Sequence, residues 1–280
     1  MGELGARTLP GFFLTYEAIN QELPEAEVLA RLRDYLAAMR QSLRDGNARP
    51  NRTPSGLIDG GAWRMAQFAR EGGSLLHPAF SLVVQNLLAV AEHNACMGRI
   101  VAAPTAGASG VIPGAFLTVA ELHGFPESKI LDGLLVAGGI GELIALSASL
   151  SGSLHGCQAE NGSASAMTAA ALASLYTDDL TVIESAAAFA LKNLLGLVCD
   201  PVAGLVEVPC VKRNVVAGIN ALACAEMALA GIRTAIPLDE VIGALAEVGR
   251  NLPSSLRETS LGGLAATPTA CRYSRLLREE

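Results

Sequence analysis

Two cysteines, each beside a proline, constrain the fold of this chain most strongly. Residues 192–214 read KNLLGLVCDPVAGLVEVPCVKRN and contain Cys199 and Cys210, with Pro201 two positions after the first and Pro209 directly before the second. Because proline has no backbone N–H and interrupts regular hydrogen bonding, helices usually end near it. The pattern therefore predicts that both thiols lie at helix ends or in a loop, where they can point into a shaped cavity.

A third cysteine stands among small, turn-permitting residues further upstream. Cys157 lies in SGSLHGCQAENGSASAM, 42 positions before Cys199 (199 − 157). Three such thiols are enough to hold a metal cluster, although their spacing lacks the short C-x₂-C pattern of zinc ribbons and bacterial ferredoxins. A free cysteine is also commonly a small buried side chain. Spacing alone leaves both a metal site and core packing open.

Small side chains elsewhere in the chain favour closely packed helices. The 280 residues are 51% hydrophobic but only 4% aromatic, and they include 29 glycines, whereas β-sandwiches are rich in aromatic and β-branched residues. Between Pro24 and Gly46, apolar residues recur at three- and four-residue steps, which predicts an amphipathic helix that starts at the proline and stops at the glycine. Further helices are predicted over 80–100, over 115–150 as a pair joined around Gly124–Pro126, and over 163–176, 180–197, 215–231 and 237–250. We predict an all-α fold with a single helical domain over residues 1–280, made of an N-terminal amphipathic helix region (1–50) and a core (51–270).

Charge and hydropathy argue against two classes of partner. The formal net charge is −7 and no dense basic patch is present, so no nucleic-acid partner is expected. The amino terminus, MGELGARTLPGFF, lacks the long apolar core of a signal peptide. The apolar stretch 131–150 is interrupted by Asp132 and Glu142, which favours buried helices over a membrane span. Six cysteines without a secretory signal indicate free thiols or metal ligands, and the expected location is the reducing cytoplasm.

Two loops rich in glycine, proline and hydroxyl side chains are candidate ligand-binding segments. Residues 46–62, GNARPNRTPSGLIDGGA, break the helical pattern, and by composition alone they are a linker. Residues 101–115, VAAPTAGASGVIPGA, place Thr105 and Ser109 among glycines whose backbone N–H groups can approach an anion closely. This loop lacks the G-K-[ST] ending of a P-loop, so it is a modest anion-binding candidate.

Several of these segments together resemble one enzyme family. GCQAE, the segment ALKNLLGLVCDPVAGLVEVPC with its KRN tail, and VAAPTAGASGVIPG are similar to motifs of the iron-sulfur-dependent L-serine dehydratases (L-serine ammonia-lyases), more narrowly of their alpha subunit or catalytic domain. The resemblance runs from about Thr53 to Thr269, and its motifs are long and rare. It implies a lyase of amino-acid degradation and gluconeogenesis that dehydrates L-serine to aminoacrylate, which yields pyruvate and ammonia.

The resemblance also implies a cofactor. By it, Cys157, Cys199 and Cys210 hold an oxygen-sensitive [4Fe-4S] cluster, whose remaining iron is open and acts as a Lewis acid on the substrate. No pyridoxal phosphate is expected, because neither Lys192 nor Lys212 is accompanied by a recognisable loop for that cofactor's phosphate.

The two loops gain a role from the same resemblance. TPSGL followed by DGGA looks like the family's segment around the substrate pocket, which puts Ser55 and Gly56 near the amino acid. The 101–114 stretch resembles the pocket for the substrate's carboxylate and amino group. It implies contacts from Thr105, Ala106 and Gly107, the latter two largely through backbone groups.

The catalytic base has no assignment from the sequence. A beta domain accompanies this one in the family, and nothing in the chain resembles it. A separate beta subunit is therefore expected, in an alpha–beta heterodimer or a higher oligomer, and it supplies part of the site. Lys192, Lys212 and Glu207 lie near the cysteines in sequence, but charged residues around a cluster more often tune its potential. His93 is a further candidate base because histidine is the side chain most used for proton transfer near neutral pH, although a lone histidine is more often structural.

Three further residues and two other functions stay open at this point. His155 either reaches the surroundings of the cluster or faces solvent. Asn161 stands where related sequences usually have a small apolar residue. Cys271 is either a cap for the open iron or an unligated surface cysteine. The alternatives to serine dehydration are an iron-sulfur L-cysteine desulfidase and a non-catalytic subunit that holds a cluster or zinc.

Overall fold

The computed structural model describes residues 8–279 of the chain, with side chains described for 8–277. Most of this part of the chain lies in helices. Within it, the α-helices are α1 (Leu9–Asn20), α2 (Glu25–Ala48), α3 (Gly61–Arg70), α4 (Pro78–Ala95), α5 (Thr118–Leu122), α6 (Glu127–Ser147), α7 (Gly152–His155), α8 (Ser163–Ser174), α9 (Leu180–Lys192), α10 (Cys210–Leu229), α11 (Leu238–Asn251) and α12 (Pro268–Glu279). Two π-helical turns, Ile112–Leu117 and Gln158–Gly162, lead into α5 and α8. The described residues contain no β-strand, only two isolated bridges, Arg52 with Asp59 and Cys199 with Arg257. The all-α prediction is confirmed.

Helix starts follow the sequence more closely than helix ends. Pro24, Pro126 and Pro237 each stand directly before a helix, as expected for a residue that needs no intrahelical acceptor. The predicted stop of α2 at Gly46 is wrong, because the helix continues to Ala48. Gly46 is buried, and a side chain there would collide with the carbonyl oxygen of Ala89 on α4. The glycine therefore permits a close helix crossing and does not end the helix.

Three other predicted boundaries differ from the structure. The predicted helices 80–100 and 180–197 end earlier, at Ala95 and Lys192. The predicted helix 215–231 begins earlier, at Cys210. Pro209 directly precedes that first helical residue, a position where proline is tolerated. The thiol of Cys210 thus sits at a helix start, as the proline pattern predicted.

Helix α8 is the centre of the fold. All its residues, SASAMTAAALAS, are buried, and it packs against α6, α9 and α10. Alanine and serine side chains are short enough to let four helices approach closely at packing densities near those of crystals. On the facing helix α6, Gly133 leaves the space that the Phe116 ring occupies. The small residues counted in the sequence therefore lie where helices touch.

Helix α6 is long and apolar enough to span a membrane, and it is the one helix among the described residues with that property. In the structure, however, 61% of its most apolar window is buried inside the protein. Its buried residues include Leu134, Val136 and Ile140. Helix α6 is thus a core helix of this domain.

Candidate metal and substrate site

Three buried thiols converge from separate segments of the chain. Cys157 directly precedes the π-helical turn before α8, Cys199 lies in an extended segment, and Cys210 is the first residue of α10. Their exposed fractions are 1%, 3% and 7%, and none is in a disulfide. Cys199 is held from outside by the carboxy-terminal segment: its N–H donates to Leu256 O at 2.9 Å, and its carbonyl accepts from Glu258 N at 2.7 Å. The fold therefore fixes the backbone on which this thiol is carried.

A carboxylate that the sequence analysis missed joins the cysteines. One oxygen of Glu160 and the sulfurs of Cys157 and Cys199 all lie within 4.8 Å of one another. Cys210 is not in this tightest group, but the charges of Cys157 and Glu160 act on it directly. Glu160 stands three residues after Cys157, the spacing that puts two side chains on one face of a helix. That spacing is the signal that could have found it.

The thiols differ in how readily they ionise. The hydrogen bond from Cys199 lowers the pKa of Cys157, and the nearby Arg213 guanidinium lowers it further against the effect of burial. The same hydrogen bond, together with burial, raises the pKa of Cys199. Burial and the charges of Cys157 and Glu160 raise the pKa of Cys210 to about 12. Because the thiolate is the form that binds metals, Cys157 is the thiol best prepared for ligation.

A buried ion pair lies beside the cysteines. The Nη1 group of Arg213 donates to Val198 O at 2.7 Å and to Cys157 Sγ at 3.5 Å, and Nη2 lies 2.8 Å from Oδ1 of Asp200. Oδ2 of Asp200 accepts the backbone N–H of Leu264 at 2.7 Å. One guanidinium therefore links α10 to the segment of Cys199 and to the sulfur of Cys157.

The predicted loop 101–115 reaches this group through Thr105. Its hydroxyl donates to Oε1 of Glu160 at 2.8 Å. The carbonyl oxygens of Ala106 and Gly107 accept from the side-chain amides of Asn94 and Asn214, at 3.0 and 2.7 Å. Both carbonyls are thus engaged. Residues Ala106–Ala108 form a 3₁₀ turn, and the N–H groups at the start of such a turn lack an intrahelical acceptor.

The predicted loop 46–62 is shorter than expected and reaches the site through Glu207. The hydroxyls of Thr53 and Ser55 donate to Oε2 of Glu207 at 2.7 and 2.5 Å. Gly56, next to them, has a φ of +71°, in the left-handed region that favours glycine. Since Glu207 lies three residues before Cys210, the loop is tied to the cysteine segment.

The lysines that the sequence placed near the cysteines are not close partners of the thiols. Lys192 lies over the Phe189 ring, 4.5 Å from its centroid, and acts on Cys224. Cys224 is fourteen residues along α10 from Cys210, about 21 Å at 1.5 Å per residue. Lys212 is exposed and its charge acts on Glu92.

The residues with open roles also have defined positions. His155 packs against Gly249 on α11, and its Nδ1 accepts from Ser149 N at 3.3 Å. Asn161 is buried, and its side-chain oxygen has no hydrogen-bond partner among the described residues. Cys271 is exposed and lines a cavity with Glu258. His93 lines another cavity, at the carboxyl end of α4.

Comparison with known proteins decides the family. The model of the family described as serine dehydratase alpha chain matches residues 10–265. The chain belongs to this family. It is 40% identical to the L-serine dehydratase alpha chain of Peptoniphilus asaccharolyticus over 262 residues, 94% of this chain and 90% of that one. It is 49% identical to the probable L-serine dehydratase alpha chain of Bacillus subtilis over 215 residues, 77% of this chain and 72% of that one.

A longer relative shows a different chain organisation within the serine dehydratase family. L-serine dehydratase 2 of Escherichia coli is 44% identical over 188 residues, which are 66% of this chain but 41% of that protein. The relatives named alpha chain are matched over most of their length, whereas more than half of the Escherichia coli protein lies outside the match.

Proposed function

We propose that this protein is the alpha chain of an iron-sulfur-dependent L-serine dehydratase, a lyase that converts L-serine to pyruvate and ammonia. The observation that carries the proposal is a set of three buried thiols in a chain of the serine dehydratase alpha chain family, with two hydroxyl-bearing loops bonded to Glu160 and Glu207, each three residues from one of the thiols. The reaction removes the β-hydroxyl and the α-proton of serine, and the resulting aminoacrylate is hydrolysed to pyruvate and ammonia.

The donor set fits a [4Fe-4S] cluster. The cysteines are buried and free of disulfides, and soft thiolates are the ligands that such clusters take. Gly152 leaves room beside them, because a Cβ there would lie 3.2 Å from Sγ of Cys199. Cys157, Cys199 and Cys210 would hold the cluster. When bound, it would supply a Lewis acid for the β-hydroxyl through the iron that has no cysteine.

The loops would bind the amino acid. Thr105 is fixed by its bond to Glu160, so the free N–H groups of Ala106 and Gly107 can be held in place for the substrate carboxylate. Ser55 and Gly56 would close the other side of the pocket, with the Ser55 hydroxyl oriented by Glu207. These residues would orient serine and exclude water from it.

A beta chain would complete the enzyme. The relatives that align over most of their length are named alpha chain, a name that implies a second chain, and the base that takes the α-proton is assigned to that partner. The enzyme would work in the cytoplasm, where amino-acid degradation supplies pyruvate for gluconeogenesis. Its cluster would make it sensitive to oxygen.

Cysteine-to-serine variants test the cluster directly. Cys157→Ser, Cys199→Ser and Cys210→Ser should each lose iron, sulfide and the visible absorption band after anaerobic purification. Cys224→Ser is the matched control, because Cys224 is also buried but lies beside Lys192, and it should keep all three. Iron contents that are equal in all four variants would refute the ligand assignment.

The assembled protein tests the reaction. With its beta partner, the wild-type chain should form pyruvate from L-serine, and the three ligand variants should not. Sulfide release from L-cysteine that exceeds pyruvate formation from L-serine would indicate a desulfidase instead. A loaded protein that turns over neither substrate with its partner would indicate a non-catalytic subunit.

A further inference from the structure

We propose that Glu160 binds the α-ammonium group of the substrate and thereby selects amino acids over hydroxy acids. This inference rests on the proposed function, since it concerns the same pocket. It assigns a binding residue to the ammonium group, for which the proposed substrate contacts of the two loops supply no negative charge.

The position of Glu160 is the first reason. Its carboxylate lies within 4.8 Å of the sulfurs of Cys157 and Cys199, at the place where the cluster and the substrate would meet. Oε1 accepts the hydroxyl of Thr105 at 2.8 Å, which fixes the orientation of the carboxylate. Oε2 is left as the oxygen available to a ligand.

The charge around Glu160 is the second reason. No ion pair to this carboxylate is formed within the described part of the chain, and the guanidinium of Arg213, which bonds to Cys157, is paired with Asp200. The charge that acts on Glu160 is negative and belongs to Glu258. A partly buried carboxylate without a cation is costly. The ammonium of an amino acid would supply the missing positive charge.

The space around Glu160 is the third reason. Gly107 faces both oxygens: a Cβ there would lie 3.4 Å from Oε1 and 3.6 Å from Oε2. Gly152 faces Oε2 from another direction, where a Cβ would approach to 2.7 Å. The two glycines thus leave space beside the Glu160 carboxylate that the side chain of any other residue would fill. Gly107 belongs to the loop that would hold the substrate carboxylate, so both ends of a zwitterion can be bound together.

A matched pair of ligands isolates the ammonium. L-glycerate has the carboxylate and the β-hydroxyl of L-serine, but a hydroxyl replaces the ammonium. We would measure the affinity of the cluster-loaded alpha–beta enzyme for both ligands from the change that each causes in the absorption spectrum. For Glu160→Gln, the dissociation constant of L-serine should rise about tenfold or more, since a charge-assisted hydrogen bond is lost. The dissociation constant of L-glycerate should change less than twofold.

Two further variants control the result. Glu258→Gln also removes one negative charge that acts on Cys199, but its side chain is exposed. This variant should leave the affinities for both ligands within twofold of wild type. Gly107→Ala keeps the charge of Glu160 but places a methyl group against it, and should weaken L-serine binding. Iron content and the spectrum without ligand should match wild type in all three variants.

The outcomes separate this inference from the proposed function. Equal weakening of both ligands by Glu160→Gln, or loss of iron, would overturn the inference, because Glu160 would then act on the cluster. Undiminished L-serine affinity in Glu160→Gln would also overturn it, while pyruvate formation would leave the proposed function standing. A wild-type spectrum indifferent to both ligands, without pyruvate formation, would refute the proposed function itself.

Discussion

Replacing Asp200 by asparagine should destabilise the fold by about 3–5 kcal/mol, because removal of one partner from a buried ion pair leaves the other charge uncompensated. The side chain of Asp200 is 3% exposed and that of Arg213 is 14% exposed, and their charged atoms lie 2.8 Å apart. The second oxygen of Asp200 accepts the N–H of Leu264. Asparagine has one oxygen and one amide nitrogen, and the nitrogen is only a donor. It can therefore keep one of these two contacts but not both.

The expected loss of stability can be converted to a decrease in the melting temperature. Unfolding entropy is about 2.1 cal/mol/K per residue, which for 280 residues gives about 0.6 kcal/mol per kelvin. The midpoint should fall by about 5–9 °C at that slope. Thermal and urea unfolding of iron-free protein, followed by circular dichroism, would measure it. The control is Glu27→Gln, which breaks the Arg31–Glu27 pair, 51% and 50% exposed, and should cost less than about 1 kcal/mol.

A double variant completes the test. Asp200→Asn combined with Arg213→Met removes both charges, so at least half of the lost stability should return, since no uncompensated buried charge is left. The reasoning fails if Asp200→Asn differs from Glu27→Gln by less than about 1 kcal/mol, the upper bound for an exposed pair. It also fails if the double variant is no more stable than the single one.

Three other changes have defined outcomes. Burial raises the pKa of Glu92 above 4.5, so the folded protein holds this proton more tightly. In urea unfolding from pH 4 to 7, a window that begins near the unfolded pKa of about 4.3, the stability of wild type relative to Glu92→Gln should fall with rising pH, by at most about 1.4 kcal/mol per pH unit, and a flat or rising difference would contradict this. Gly46→Ala should lose about 1–3 kcal/mol in the same assay by overpacking against Ala89, while Gly243→Ala, on the exposed side of α11 with no atom within 4 Å, should gain about 0.5–1 kcal/mol. Gly152→Ala should reduce iron content, because its Cβ would lie 3.2 Å from a cysteine sulfur, and an iron content equal to wild type would refute that packing argument.

Local sequence patterns predicted most of the longer helices and the position of Cys210 at a helix start, but they did not predict α3, α7 or α12. Proline lacks a donor wherever it stands, so Pro126 and Pro237 mark helix starts in any tertiary context. Periodic apolar residues likewise identify buried helix faces. Gly46 shows where this reasoning ends. A glycine near a helix end can be a stop or a close contact, and only the neighbouring helix decides which.

The neighbours of the thiols could not be predicted because they depend on distant segments. Asp200 meets the backbone of Leu264, 64 positions away, and Thr105 meets Glu160 across 55 positions. No periodic signal carries such pairings. The resemblance to a family gave candidate roles to the two loops and the three cysteines, but it assigned no partner to Arg213 and no role to Glu160.

The charges beside the cysteines are of both signs, and under the proposed function they would connect the metal site to the choice of substrate. Arg213 touches Cys157 from one side, where a positive charge favours the thiolate that ligation requires. The charges of Glu160 and Glu258 oppose the ionisation of Cys199, and that of Glu160 also opposes the ionisation of Cys157. A carboxylate at the position of Glu160 would repel an anionic cluster, unless a cation lies beside that carboxylate. The ammonium group of an amino acid is such a cation, and it would be present only while substrate is bound.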